Sequence, residues 1–223
     1  MQQLANPEKA VTISGFFKTG KGEYGEGDLF LGIPVPEQRK IARKYSLMPL
    51  KDLQKLLSSK IHEHRLTALL ILVMKYSKAH IKIREDIVSF YLKNIRHINN
   101  WDLVDLSADK ILGPHLWERD KSILCTMATS QNLWERRIAI MTTFHFIKNN
   151  QFRDTLALAE ILLHDRHDLI HKAVGWMLRE IGKRDQEAEE RFLLKYYPKM
   201  PRTMLRYAIE KFDDNKRRFY LKK

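Results

Sequence analysis

The chain has 223 residues, 44% of them hydrophobic and 30% charged, with a single cysteine. Those proportions exclude a disordered protein and a disulfide-stapled one, and the length suffices for one sizeable buried core. Forty Lys and Arg against 27 Asp and Glu leave a net charge of +13, which favours a polyanionic partner, because each phosphate neutralised releases condensed counterions and a positive field steers encounter.

The first residues, MQQLANPEKAV, lack the charged-then-apolar pattern of a secretion signal. The longest wholly apolar run, Ala68 to Met74, is far short of a membrane helix. No polybasic amphipathic anchor or lipidation signal is evident either, so a cytoplasmic protein with no membrane partner is expected. Apolar periodicity predicts helices over 4–18, 35–46, 49–58, 62–78, 82–98, 101–112, 117–128, 132–149, 152–163, 168–183, 185–196, 201–211 and 213–220. Prolines 34, 36, 49, 114, 198 and 201 sit near helix starts or turns, and Asn100, Asn132 and Asp168 are placed as N-caps. Almost nothing reads as strand. With short gaps and no Ser- or Pro-rich linker, residues 1–223 are expected to form one domain.

Between the first two helices, KTGKGEYGEGD at 18–28 carries Gly20, Gly22 and Gly25 in the spacing G-x-G-x-x-G. A dinucleotide fingerprint needs a strand before it and a helix after it, and neither is present. The segment reads as a mobile glycine loop, or as one that touches nucleic acid through backbone amides and Lys18 or Lys21. HEH at 62–64 is no ligand set, since adjacent helical side chains point in different directions. His164, His167 and His171 would align only on an unbroken helix. LLHDRHDLIHK reads instead as a helix end, a polar turn and a new helix capped by Asp168, so no metal is expected, and no cofactor. Cys125 is expected in the core, and Trp117 and Trp134 as packing residues.

Arg65, Trp101, Arg137, Lys172 and Arg206 recur at spacings of 36, 36, 35 and 34 residues, a period that marks stacked helical pairs. The expected fold class is therefore all-α, an α-solenoid of antiparallel helix pairs with one basic ridge. Four residues after each marker come Leu69, Asp105, Met141, Trp176 and Glu210. An offset of four keeps the marker's face, so Trp101 and Asp105 share a face and Trp176 repeats the place of Asp105. Residues 195–223 hold ten basic and three acidic side chains interleaved with Tyr196, Tyr197, Tyr207 and Tyr220, which reads equally as solvated charge or as backbone binding.

NPEKA at 6–10, LGIPVPEQRK at 31–40, NNWDLVD at 99–105, NLWERRIAI at 132–140 and KAVGWMLRE at 172–180 resemble the AlkD family of alkylpurine DNA glycosylases, in the same order and over nearly the whole chain. The resemblance implies a HEAT-like α-solenoid that cradles duplex DNA on a concave basic face. It implies that Asp105 is the catalytic carboxylate, that Trp101 and Trp176 flank the damaged nucleotide's sugar and phosphate, and that Arg137 grips the nearby backbone. Lys172, Arg206, Arg65 and Lys18 are the further DNA-binding candidates. The chain departs from the family where a tyrosine can contact DNA, reading Phe16 and Phe17, and where the LGI turn can carry glutamine, reading Pro34.

The chemistry fits these residues. Alkylation at N3 or N7 makes the purine a cationic leaving group that needs no strong acid. The oxocarbenium-like sugar is what needs help, and a fixed carboxylate with aromatic faces supplies it. The resulting expectation is a metal-free, monofunctional and monomeric glycosylase acting on 3-methyladenine and 7-methylguanine in duplex DNA. The alternative is a non-catalytic binder of distorted or branched DNA. Asp102, about 100° round the helix from Trp101, is expected to tolerate substitution that Asp105 does not.

Overall fold

The structure is a computed structural model that describes residues 1–222. Its class is all-α. Among the described residues the only β feature is an isolated parallel bridge between Leu29 and Ile61. The helices are α1 (Pro7–Phe16), α2 (Val35–Lys44), α3 (Leu50–Leu57), α4 (His62–Lys78), α5 (Ile81–Lys93), α6 (Trp101–Asp105), α7 (Ala108–Leu116), α8 (Ser122–Ala128), α9 (Leu133–Thr142), α10 (Phe144–Lys148), α11 (Arg153–Ile161), α12 (Asp168–Gly182), α13 (Gln186–Tyr196), α14 (Arg202–Ala208) and α15 (Asp214–Leu221). Two compact units follow one another, Met1–Ile111 and the part from Leu112 onward.

In the first unit, α4 is the hub, packed against α2, α3, α5 and α6. It is apolar nearly all round, with Leu66, Ala68, Leu69, Ile71 and Leu72 at most 1% exposed, as befits a helix covered on several sides. Its second residue, Glu63, turns away from the apolar run and accepts the amides of Leu31, Gly32 and Ile33 at 2.8–3.2 Å. The LGI turn is thereby pinned to α4. Gly32 has φ +76°, and a side chain there would collide with the Asn6 carbonyl, so only glycine fits. Asn6 in turn caps α1 by accepting the Lys9 amide at 3.0 Å.

In the second unit, α12 is the hub, packed against α9, α10, α11, α13 and α14. Gly175 lets α14 approach it closely, since a Cβ at that position would strike the Met204 carbonyl and the Tyr207 side chain. The glycine of KAVGWMLRE thus has a packing cause, and it lies next to Trp176.

Most predicted helices are found, with instructive breaks. The stretch 101–112 divides because the Ser107 hydroxyl donates back to the Leu103 carbonyl at 2.6 Å and also pairs with the Tyr91 hydroxyl at 3.0 Å. Asp105 therefore ends α6. The stretch 132–149 divides at Thr143, whose hydroxyl donates to the Ile140 carbonyl at 2.7 Å. Pro114 does not separate helices but lies inside α7. Asp168 is not the cap of α12: His167 is, its Nδ1 accepting the Leu169 amide at 3.1 Å, and Asp168 is the first helical residue. Cys125 is exposed rather than buried, because Leu124, Met127 and Ala128 take the inward face of the short α8.

Candidate active site

Asn100 starts α6, its side-chain oxygen accepting the Trp101 amide at 2.8 Å. Trp101 and Asp105, one turn apart, are both partly exposed. The indole does not stand alone. Phe17 stacks on it with centroids 5.2 Å apart and planes 17° apart, and Phe30 also stacks on Phe17 at 5.2 Å. His62 completes the cluster, 4.8 Å from Phe17 and 4.9 Å from Phe30. Phe16, the neighbouring candidate, is 73% exposed and outside it. Phe17, one of the two phenylalanines where the resemblance allows a tyrosine, therefore covers one face of Trp101.

Behind the rings lies a charge cluster that sequence reasoning missed. His62 Nε2 is 2.8 Å from Asp102 Oδ2, and its Nδ1 is 3.5 Å from Asp28 Oδ2. Arg65 Nη2 reaches the same Asp28 oxygen at 2.5 Å and its Nη1 donates to the Ser59 carbonyl at 3.1 Å. All four side chains are at least nine-tenths buried. Burial alone would lower the His62 pKa, but the carboxylates of Asp102 and Asp28 outweigh it and push it up to about 9. Burial acts oppositely on Asp28, yet His62 and Arg65 hold its pKa below the usual carboxylate value. At neutral pH two cations thus face two anions. Asp102 is no idle neighbour of Trp101, and the glycine loop is anchored at its end by Asp28. The signal was present as HEH followed by Arg65, but the partner carboxylates lie 34 and 40 residues from His62, beyond helical spacing rules.

In the second unit, the Trp176 Nε1–H donates to Glu180 Oε1 at 3.3 Å, and the ring tilts against Phe144 at 5.9 Å. Lys172, one turn earlier on α12, pairs with Asp168 at 2.7 Å and keeps its side chain 40% exposed. Arg206 is exposed on α14, which packs against α12. Arg137 is only 4% exposed, and its Nη1 donates to the Leu169 carbonyl at 2.5 Å, tying α9 to the first turn of α12.

The five markers therefore do not form one exposed ridge. Each lies in a helix, but Arg65 and Arg137 are buried cations that hold neighbouring segments, whereas Arg206 is exposed, as is Lys18 outside the five. Arg65 gives its Nη2 to Asp28 and its Nη1 to the Ser59 carbonyl, so it is not an exposed cation on a ridge. The histidines at 164–171 form the polar turn expected: His167 caps α12, His171 Nε2 meets the Asp165 carbonyl at 2.5 Å, and Asp165 pairs with Arg136 at 2.6 Å. Trp134 is buried, and Trp117 packs on His145 and Phe146.

Residues 1–212 match the family described as DNA alkylation repair enzyme. The chain belongs to that family. A predicted DNA alkylation repair enzyme from Enterococcus faecalis shares the fold at a TM-score of 0.72, covering 94% of this chain and 97% of that one at 17% identity. The smu.31 protein of Streptococcus mutans UA159 aligns at a TM-score of 0.59 and 19% identity, covering 81% of this chain and 93% of that one. At such identities the likeness is one of fold. No curated protein matches the chain. As a DNA alkylation repair protein it has a role in DNA repair and DNA as its partner, which accounts for the charge of +13. Among the described residues no helix is long and apolar enough to cross a membrane.

Proposed function

We propose that this chain is a monofunctional, monomeric DNA glycosylase that releases cationic N3- and N7-alkylpurines from duplex DNA. The observation that carries this reading is the α6 pair: Asp105 ends the helix one turn after Trp101, whose indole is held by Phe17. A cationic alkylpurine leaves with the electron pair of the C1′–N bond and departs neutral, so the reaction needs neither a metal nor a strong acid. Positive charge builds on the deoxyribose as the bond lengthens. Asp105 supplies a fixed negative charge to that cation and accepts the proton of the water that adds at C1′, leaving an abasic site. The π-face of Trp101 attracts the same developing charge, and Trp176 offers a face of the same kind on α12. Lys172, Arg206 and Lys18 meet phosphates. Arg137 acts at one remove, seating the first turn of α12 from which Lys172 and Trp176 project.

The test is incubation with a duplex containing one 7-methylguanine, followed by alkaline cleavage at abasic sites. Release of the base and strand scission only after alkali support the reading. Tight binding with no abasic sites would make the chain a binder of distorted DNA instead. Binding to undamaged duplex should be largely sequence-independent, and contact with about six phosphates would give a log–log salt slope near −5.

A further inference from the structure

A cavity of about 280 Å³ opens in the first unit between the end of the glycine loop, the turn before α4 and the turn before α6. Its walls carry more positive than negative charge once internal pairings are counted. Asp28 is neutralised by Arg65 and His62, which leaves Glu26, held by the Gly22 amide at 2.8 Å, as the one carboxylate set against Lys60 and Arg96. Lys60 and Arg96 line the same cavity, are exposed, and make no ion pair among the described residues. Arg65 also lines it, is 4% exposed, and has a buried Nε–H with no acceptor. A buried guanidinium donor left unmatched costs free energy that an incoming anion would restore. The local field registers on His97, which lines the cavity too. Burial, then Arg96 and Arg65, hold its pKa below the ordinary histidine value, and it accepts the Arg96 Nε–H at 3.1 Å.

We propose that this cavity is a phosphate-binding pocket, in which Lys60, Arg96 and the Arg65 Nε–H hold one phosphate group of the damaged strand beside Trp101. Three cationic side chains that line one cavity from separate segments suit a tetrahedral oxyanion, which offers acceptors in several directions at once. Position adds the source. Asn99, on the cavity wall, precedes Trp101 by two residues, so the cavity borders the segment that leads into α6. The strand assignment rests on the proposed glycosylase reading, whereas the phosphate chemistry does not. Such a site would fix the register of the backbone against α6 without reading any base.

The experiment has two arms, neither of which depends on excision. Inorganic phosphate is titrated against the wild type, Lys60→Ala/Arg96→Ala and, as a control for exposed charge, Lys82→Ala, following the melting temperature and ³¹P line width. Undamaged duplex affinity is then measured against salt for the same three proteins. Saturable stabilisation by phosphate is expected in the wild type and Lys82→Ala and should be lost in the double variant. In the second arm, the double variant should bind duplex about tenfold more weakly, with a salt slope shallower by about 1. Phosphate binding with an unchanged slope would mean that the pocket serves free phosphate, overturning the strand assignment. If phosphate neither stabilises nor broadens and the double variant binds duplex like Lys82→Ala, the pocket is not a phosphate site.

Discussion

His62 Nε2 sits 2.8 Å from Asp102 Oδ2 with side-chain exposures of 3% and 9%, so the imidazolium and the carboxylate are held together almost out of contact with water. This pair ties the first turn of α4 to α6, and Asp28 extends it to the end of the glycine loop. The His62 pKa is about 9 in the folded chain against 6.5 for the free side chain. A raised histidine pKa stabilises the fold fully below the unfolded value, and that contribution is lost as pH rises through the folded one. Urea unfolding should therefore show a stability gap between wild type and His62→Gln that is largest below pH 6.5 and closes by about pH 9. A constant gap across that range would mean that His62 acts by shape and not by charge.

Phe17 is expected to act on the reaction through Trp101. Removing its ring in Phe17→Ala uncovers one face of the indole and lets it tilt. Because small displacements of a positioned group are costly, single-turnover excision should fall roughly ten- to a hundredfold. Undamaged-duplex affinity should stay within a few-fold, and acrylamide quenching of the Trp101 emission, taken as the difference from Trp101→Phe, should rise. Phe17→Tyr keeps the stack and should retain the rate. Equal quenching in Phe17→Ala and wild type would remove Phe17 from the site.

Periodicity made the helices legible, because α4, α9 and α12 carry their apolar residues at helical spacing, and the markers fall in α4, α6, α9, α12 and α14. It could not report exposure. Arg65 and Arg137 have the same spacing as Arg206, yet they are buried by partners set 37 and 32 residues away in sequence, Asp28 and the Leu169 carbonyl. The breaks at Ser107 and Thr143 were illegible for a related reason. A hydroxyl that bonds back to its own helix leaves the apolar pattern unchanged. WDLVD marked α6 correctly, but nothing in it distinguished a buried Asp102 from a partly exposed Asp105. That difference comes from His62, forty positions earlier.

Glu189 should be a built-in liability of the second unit. It is 1% exposed, lies against Gly182, and has one carboxyl oxygen without a partner. Burial, reinforced by Glu190 and opposed by Arg179, pushes its pKa up to about 9 from 4.5. The unfolded chain gives up this proton near pH 4.5 and the folded chain holds it to about 9, so stability falls across that window. Glu189→Gln keeps the shape without the ionisation. It should flatten the pH dependence and be more stable than wild type at pH 8. Between pH 4.5 and 6.5 His62 contributes no slope but His64, His97 and His167, whose pKa values burial lowers, do, so the difference in calorimetric slope between variant and wild type isolates Glu189, and an unchanged slope in the variant would reject the assignment.

Asp105→Asn separates enzyme from binder, and comparison with Asp102 sharpens it. Asparagine preserves the size of Asp105 while removing the charge that stabilises the sugar cation and the acceptor for the water proton. Single-turnover release of 7-methylguanine should drop by roughly two orders of magnitude or more, as when other preorganised electrostatic groups are removed. Affinity for a duplex with an uncharged abasic analogue should hold or tighten slightly, because a negative charge near phosphates has gone. Asp102→Asn should fail differently. It leaves the His62 imidazolium with Asp28 as its remaining carboxylate, and breaking a buried ion pair from one side costs about 3 kcal/mol or more. Its signature is a lowered melting temperature, with any rate loss tracking the folded fraction, so Asp86→Asn on the exposed face of α5 is the better neutral control. Wild-type excision by Asp105→Asn would sink the catalytic assignment. A rate loss in Asp102→Asn equal to that of Asp105→Asn, with its melting temperature unchanged, would move the catalytic carboxylate to Asp102.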